Sequence, residues 1–191
     1  MFRIFSAVLA CASLSIALAQ QPQAQPSRLL PNILIKTPDA KGINLRKYRG
    51  KELILVLFST ECGDCVTTIG YLSKIQTDYG ARGLQVIGVG VNRNAPYALE
   101  PWRQRYHPTF PMGFLDQEDM LKLVALPQST VPYVPIVMFV DRAGTVRVQY
   151  TGDNPVLKDK QQEKALRAIA DSLLKWQGQH VAAKAAVPAK Q

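Results

Sequence analysis

The 191-residue chain carries three cysteines, and two of them, Cys62 and Cys65, are separated only by Gly63 and Asp64. Side chains three apart on a helix are neighbours, so this pair can close a short disulfide. The segment Phe58-Ser-Thr-Glu-Cys-Gly-Asp-Cys65 lies where an apolar run gives way to helical spacing. That places Cys62 near a helix N-terminus and Cys65 one turn later. Free backbone N–H groups and the positive end of the helix dipole favour a thiolate there, and thiols of Cys-x-x-Cys pairs can fall to pKa values of about 3.5–7.5. Thiolate is the attacking species in disulfide exchange, so Cys62 is the expected nucleophile and Cys65 the residue that resolves the mixed disulfide. Two blander readings compete. A static disulfide gains little from closing so small a loop. A metal site needs two further ligands, and the histidines are His107, on a Tyr-His-Pro turn, and His180, in a C-terminal tail. The redox pair is therefore preferred, with no metal and no organic cofactor expected.

The surrounding pattern supplies elements to position such a pair. Glu52–Phe58 is a continuous apolar run of strand length, as in a strand covered on both faces. Val66, Ile69, Leu72, Ile75 and Tyr79 follow at helical spacing, and Leu84–Val91 is a second buried strand. A helix is expected near Tyr97–Tyr106, and Asp116 is a natural N-cap for a helix over Gln117–Leu126. Ile136–Val140, Asp141–Gly144 and Thr145–Tyr150 read as strand, turn and strand, before an amphipathic helix over Lys158–Trp176. The opening β-α-β predicts a parallel core, and the closing hairpin makes the sheet mixed.

Outside residues 28–176 the chain changes character. Residues 1–19 combine Arg3 with an apolar stretch ending Ala17-Leu18-Ala19, a small-x-small cleavage pattern, and read as a signal peptide for export. Cys11, after Val8-Leu9-Ala10, gives a minor alternative of lipid anchoring. Residues 20–27 form a Gln/Pro-rich leader and residues 177–191 a basic Ala/Lys/Val tail, both expected to be flexible. The net charge of +9 comes from Lys and Arg scattered along the chain, without the aromatic clustering that a nucleic-acid face requires.

Across about residues 29–176 the chain resembles the thioredoxin fold, and within it the exported thiol-disulfide oxidoreductases of the redoxin superfamily. Three segments carry the resemblance. Gly42–Lys51 is similar to that group's N-terminal hairpin, Cys62-Gly-Asp-Cys65 to its active-site loop, and Tyr133-Val-Pro-Ile-Val-Met-Phe-Val-Asp-Arg-Ala-Gly144 to its cis-proline strand and turn. A proline that opens a buried strand cannot donate to the ladder, so Pro135 suits a backbone reserved for another purpose. The resemblance implies a cis Pro135 against the cysteines, with the backbone of Val134 pairing to bound substrate. It also implies an α/β thioredoxin-like fold: a mixed central sheet flanked by helices, with an N-terminal β-hairpin extension. Disulfide-containing client proteins and a membrane-linked electron donor are the expected partners, with the protein a monomer or weak dimer.

The chain departs from these families at three places. Glu61 stands where thioredoxins carry Trp, Val56 where they carry a buried acid, and Thr68 where cytochrome-maturation relatives place Glu. The usual proton acceptors for Cys65 are thus missing. Glu61 and Asp64 flank the nucleophile, and negative charge raises a thiol pKa, which points to a reducing couple. Two other functions fit parts of the pattern. A peroxiredoxin-like peroxidase would use Ser59 in register with Cys62, but Leu55 replaces the required proline. A redox-inactive thioredoxin-like binding module would explain the missing Trp and acid.

Overall fold

The computed structural model describes residues 27–185 apart from Asp159. The signal segment 1–19, Cys11 and residues 20–26 of the leader lie outside the described residues, as do residues 186–191 of the tail.

Strand β4 (Glu52–Phe58) is buried along its whole length. It runs parallel to β5 (Leu84–Gly90), and β5 is in turn parallel to β6 (Met112–Phe114). On its other side β4 pairs antiparallel with β7 (Ile136–Val140), which pairs antiparallel with β8 (Thr145–Tyr150). A two-residue strand, β1 (Arg28–Leu29), completes the six-stranded sheet against β8. The chain between contributes a separate antiparallel pair, β2 (Leu34–Ile35) and β3 (Ile43–Asn44), the expected N-terminal hairpin. A backbone bridge from Lys36 to Phe114 fastens this hairpin to the edge of β6.

The two-residue period of β4 divides the core. Leu53, Leu55 and Leu57 pack with Ile35, Leu45, Leu121 and Val124 on one face. Ile54, Val56 and Phe58 pack with Ile69, Leu72, Leu99, Leu166 and Ala170 on the other. Helix α1 (Gly63–Tyr79), α2 (Ala95–Tyr106) and α4 (Gln162–Ala185) therefore cover the second face, and α3 (Gln117–Val124) with the hairpin covers the first. Each large apolar side chain so buried contributes about 1.5–3 kcal/mol.

The structure differs from the sequence reading in three places. Helix α4 begins at Gln162 rather than Lys158, because Pro155–Leu157 forms a 3₁₀ turn ahead of it, and it runs on to Ala185. The segment past Trp176 has no proline before Pro188, and its single glycine, Gly178, lowers helix propensity by about 1 kcal/mol without barring a helix. Strands β1 and β6 are additional. With two and three residues they are too short to show a period.

The end of the sheet remote from the cysteines holds buried charge. Asp141 accepts hydrogen bonds from the Thr145 N–H and from Arg147 Nε, both at 2.8 Å. Beside it, Glu52 is wholly buried, and its Oε1 lies 3.3 Å from Arg142 Nε without a hydrogen bond forming. Burial pushes the Glu52 carboxyl up to about 7, with the Arg142 charge opposing that rise. The folded carboxyl keeps its proton up to about pH 7, whereas an unperturbed one releases it near 4.5. The folded state therefore binds more protons across that window, and stability falls as pH rises through it. Denaturant titrations should show the unfolding free energy declining from pH 4.5 to about 7. The difference profile between the native chain and Glu52→Gln should carry that decline, and a difference independent of pH would refute the assignment.

Candidate active site

The site is built where β4 ends. Once Phe58 leaves the sheet, Ser59-Thr60-Glu61 turns the chain, and α1 starts at Gly63 with Cys62 as its N-cap. The Cys62 N–H donates to the Ser59 carbonyl at 3.1 Å, and the Glu61 N–H to Ser59 Oγ at 3.2 Å. Cys62 Sγ accepts the Cys65 N–H at 3.2 Å, taking the place that an Asp or Ser oxygen fills in most caps. The two cysteines are joined as a disulfide, with Cα atoms 5.3 Å apart. Cys62 is half-buried and Cys65 fully buried. An incoming group can reach the first sulfur only.

Opposite the pair, the peptide bond between Val134 and Pro135 is cis. Pro135 is buried at the mouth of β7, and the Val134 carbonyl oxygen lies 4.0 Å from Cys62 Sγ. This loop is held from behind, since the Gly152 N–H donates to the Tyr133 carbonyl at 2.7 Å. A Cβ at Gly152 would collide with the Val134 carbonyl, so close backbone approach requires glycine there. The structure thus brings together all four residues singled out in the sequence: Cys62, Cys65, Val134 and Pro135. It leaves His107 apart, exposed at the C-cap of α2 with φ of 48°.

The three departures from the family patterns, and Asp64 beside them, also have places. Val56 is embedded in the apolar core with Cys65. Thr68 is fully buried, donating to the Asp64 carbonyl at 3.0 Å and accepting from Gln162 Nε2 at 2.8 Å. Asp64 lies 3.5 Å from Lys158 Nζ, both exposed. Glu61 is exposed and receives Asn92 Nδ2 at 3.4 Å.

Asn92 is the residue that sequence reasoning missed. It follows β5, and its amide clasps the cysteine loop. Oδ1 accepts the Thr60 N–H at 3.1 Å, and Nδ2 donates to Thr60 Oγ1 at 2.9 Å as well as to Glu61. An Asn just past a buried parallel strand is the one available signal, since that end of such a sheet is where sites assemble.

A parallel-centred sheet that presents Cys-x-x-Cys on a helix N-terminus, facing a cis-proline, defines the thioredoxin-like class of oxidoreductases. Comparison with known proteins agrees. The Redoxin family pattern matches residues 25–166, and the chain belongs to that family. Thiol-disulfide oxidoreductase ResA of Bacillus thuringiensis subsp. konkukian is 20% identical over 158 residues, covering 80% of this chain and 88% of its own. ResA of Halalkalibacterium halodurans is 25% identical over 95 residues, covering 49% and 53%. Among solved structures, a thioredoxin-family thiol:disulfide interchange protein of Chlorobium tepidum TLS superposes with a TM-score of 0.64 at 18% identity, over 78% of this chain and 98% of that one. The thioredoxin domain of a Bacteroides vulgatus thiol-disulfide oxidoreductase gives 0.55 at 17% identity, over 66% and 89%.

Asn92→Ala strands the Thr60 N–H and should cost about 1–2 kcal/mol in thermal unfolding, as for a half-buried donor left unpaired. It also removes the donor to Glu61, freeing that carboxylate to repel a neighbouring thiolate. The pH midpoint for alkylation of reduced Cys62 should therefore rise. A loss of stability with an unmoved midpoint would reduce Asn92 to a purely structural role.

Proposed function

We propose that this protein is an exported reductase of protein disulfides. The observation that carries the proposal is the asymmetry of the pair: a half-buried Cys62 facing the Val134 carbonyl, with a fully buried Cys65 one turn behind it. In the reduced protein the Cys62 thiolate attacks one sulfur of a client disulfide. The Cys62–client bond forms as the client's S–S bond breaks, and the other client sulfur leaves as a thiolate that takes up a proton. Cys65, deprotonated, then attacks Cys62 Sγ and releases the second client sulfur. The client gains two electrons and two protons, and the protein is left with the Cys62–Cys65 disulfide.

The backbone of Val134, set by Pro135, aligns the client chain for this attack. A membrane-linked electron donor returns the pair to the dithiol, as a reductase outside the cytoplasm requires. The acids beside the nucleophile support the reducing direction of electron flow. Asp64 is offset by Lys158, but Glu61, next to Cys62 in the chain, has no cation against it among the described residues and is held only by the neutral Asn92 amide, and negative charge disfavours a thiolate. That places the couple toward the reducing end of the range of about −270 to −120 mV spanned by thioredoxin and the strong oxidant DsbA.

Equilibration of the full chain with glutathione, followed by thiol trapping, should return a reversible two-electron couple at that reducing end. A value near the oxidising limit would make the protein a disulfide donor, and a pair that never exchanges would end the enzymatic reading. Cys62→Ser should abolish client reduction, whereas Cys65→Ser should accumulate a covalent client adduct that dithiothreitol releases. Adducts forming equally on both single variants would contradict the assigned order of attack.

A further inference from the structure

A cleft of about 680 Å³ opens directly beside the cysteine loop. Ser59, whose carbonyl takes the Cys62 N–H, lines it together with Val134, whose own carbonyl faces Cys62 Sγ. From there it runs across the ends of β5 and β6 to the start of α3. Val91, Phe114 and Met120 form apolar walls, and Val131, 85% exposed, stands at its open lip. Such a volume holds more than one side chain.

The charges around it are unequal. Lys36 is matched by Asp116, with Nζ and Oδ2 at 3.0 Å, and Asp116 is further occupied in capping α3 through the Asp119 N–H. Arg93 also lines the cleft, is exposed, and has no carboxylate partner among the described residues. The cleft is therefore apolar inside with one uncompensated positive charge at its edge. A client that delivers a cystine sulfur to Cys62 must lay the residues next to that cysteine along Val134 and over this opening. We infer that the cleft selects clients by those flanking residues, taking an apolar side chain against Val91, Met120 and Val131 and an adjacent acidic one against Arg93. The inference rests on the disulfide-exchange function proposed above.

The test uses the reduced full-length chain and second-order rate constants for its oxidation. Three cystine peptides differ only in the two residues after one cysteine: Leu-Asp, Leu-Lys or Ser-Ser. Bis(2-hydroxyethyl) disulfide, which has no flanking residues, reports exchange alone. Leu-Asp should outpace Ser-Ser by about tenfold, the effect of burying one Leu, and Leu-Lys by about fivefold, as for a half-exposed ion pair. The second ratio should shrink as salt is raised. Arg93→Glu should invert the order of Leu-Asp and Leu-Lys, and Arg93→Ala should bring them level, which also covers the case of a poorly folded charge-reversal variant.

Equal rates for all three peptides, with the small disulfide still exchanging, would overturn the inference and leave the proposed function standing. An Asp preference that survives both Arg93 variants would overturn the role of Arg93. Inhibition by decanoate without any effect of peptide flanks would assign the cleft to a small apolar carboxylate instead. Failure with every disulfide, the small one included, would remove the function and this inference together.

Discussion

The sulfur of Cys62 has two tasks at once, closing the first turn of α1 and offering itself for exchange. A helix begins with N–H groups that have no partner inside it, and here the Cys65 N–H points at sulfur rather than oxygen. A disulfide sulfur is a poor acceptor, while a thiolate is a charge-assisted one. A Cys62 thiolate would therefore strengthen the cap, and the helix in turn favours that charged form. Site and fold are joined through this one contact, so whatever aims the first turn of α1 also tunes the thiol.

The aim comes from the sheet. Strand β4 has neighbours on both edges and packed side chains on both faces, so the point where Phe58 releases the chain is fixed. Three further contacts then remove the freedom of the turn. Ser59 folds it back on itself, Asn92 holds Thr60 from β5, and Gly152 lets the Val134 carbonyl stand against Cys62. The buried charges are kept away from this end. Glu52 and Asp141 lie at the opposite end of the β4–β7 pair, about 20 Å away at the rise of a seven-residue strand. The titration of Glu52 is thereby separated in space from the thiol chemistry.

Much of this arrangement was legible in the sequence because it is local. The apolar runs of β4, β5 and β7, the helical spacing after Cys65 and the Asp116 cap each depend on a few neighbouring residues. Pro135 could be read because a proline opening a buried strand conflicts with the strand's own hydrogen bonding. What could not be read depends on pairs far apart in the chain. Asn92 acts through Thr60, 32 residues earlier, and Gln162 through Thr68, 94 residues earlier. No local pattern distinguishes Gln162 from an ordinary surface amide, and for Asn92 its place just past a buried strand is the single hint. Strands β1 and β6 exist because β8 and β5 offer open edges, not because their own few residues prefer extension.

The same long-range pairing explains how the site manages without the acids that the family resemblance leads one to expect. Thr68 occupies the position of a glutamate, yet its hydroxyl is committed to the Asp64 carbonyl and to Gln162, so the turn beneath Cys65 is satisfied and neutral. Val56 fills the other acid position with hydrocarbon, and Cys65 sits wholly among apolar neighbours. Neither position therefore supplies a carboxylate to take the Cys65 proton. On the exchange route proposed above, the client sulfur released by the attack of Cys62 is itself a base, formed beside the pair. Proton removal from Cys65 is then tied to the event that makes its attack useful.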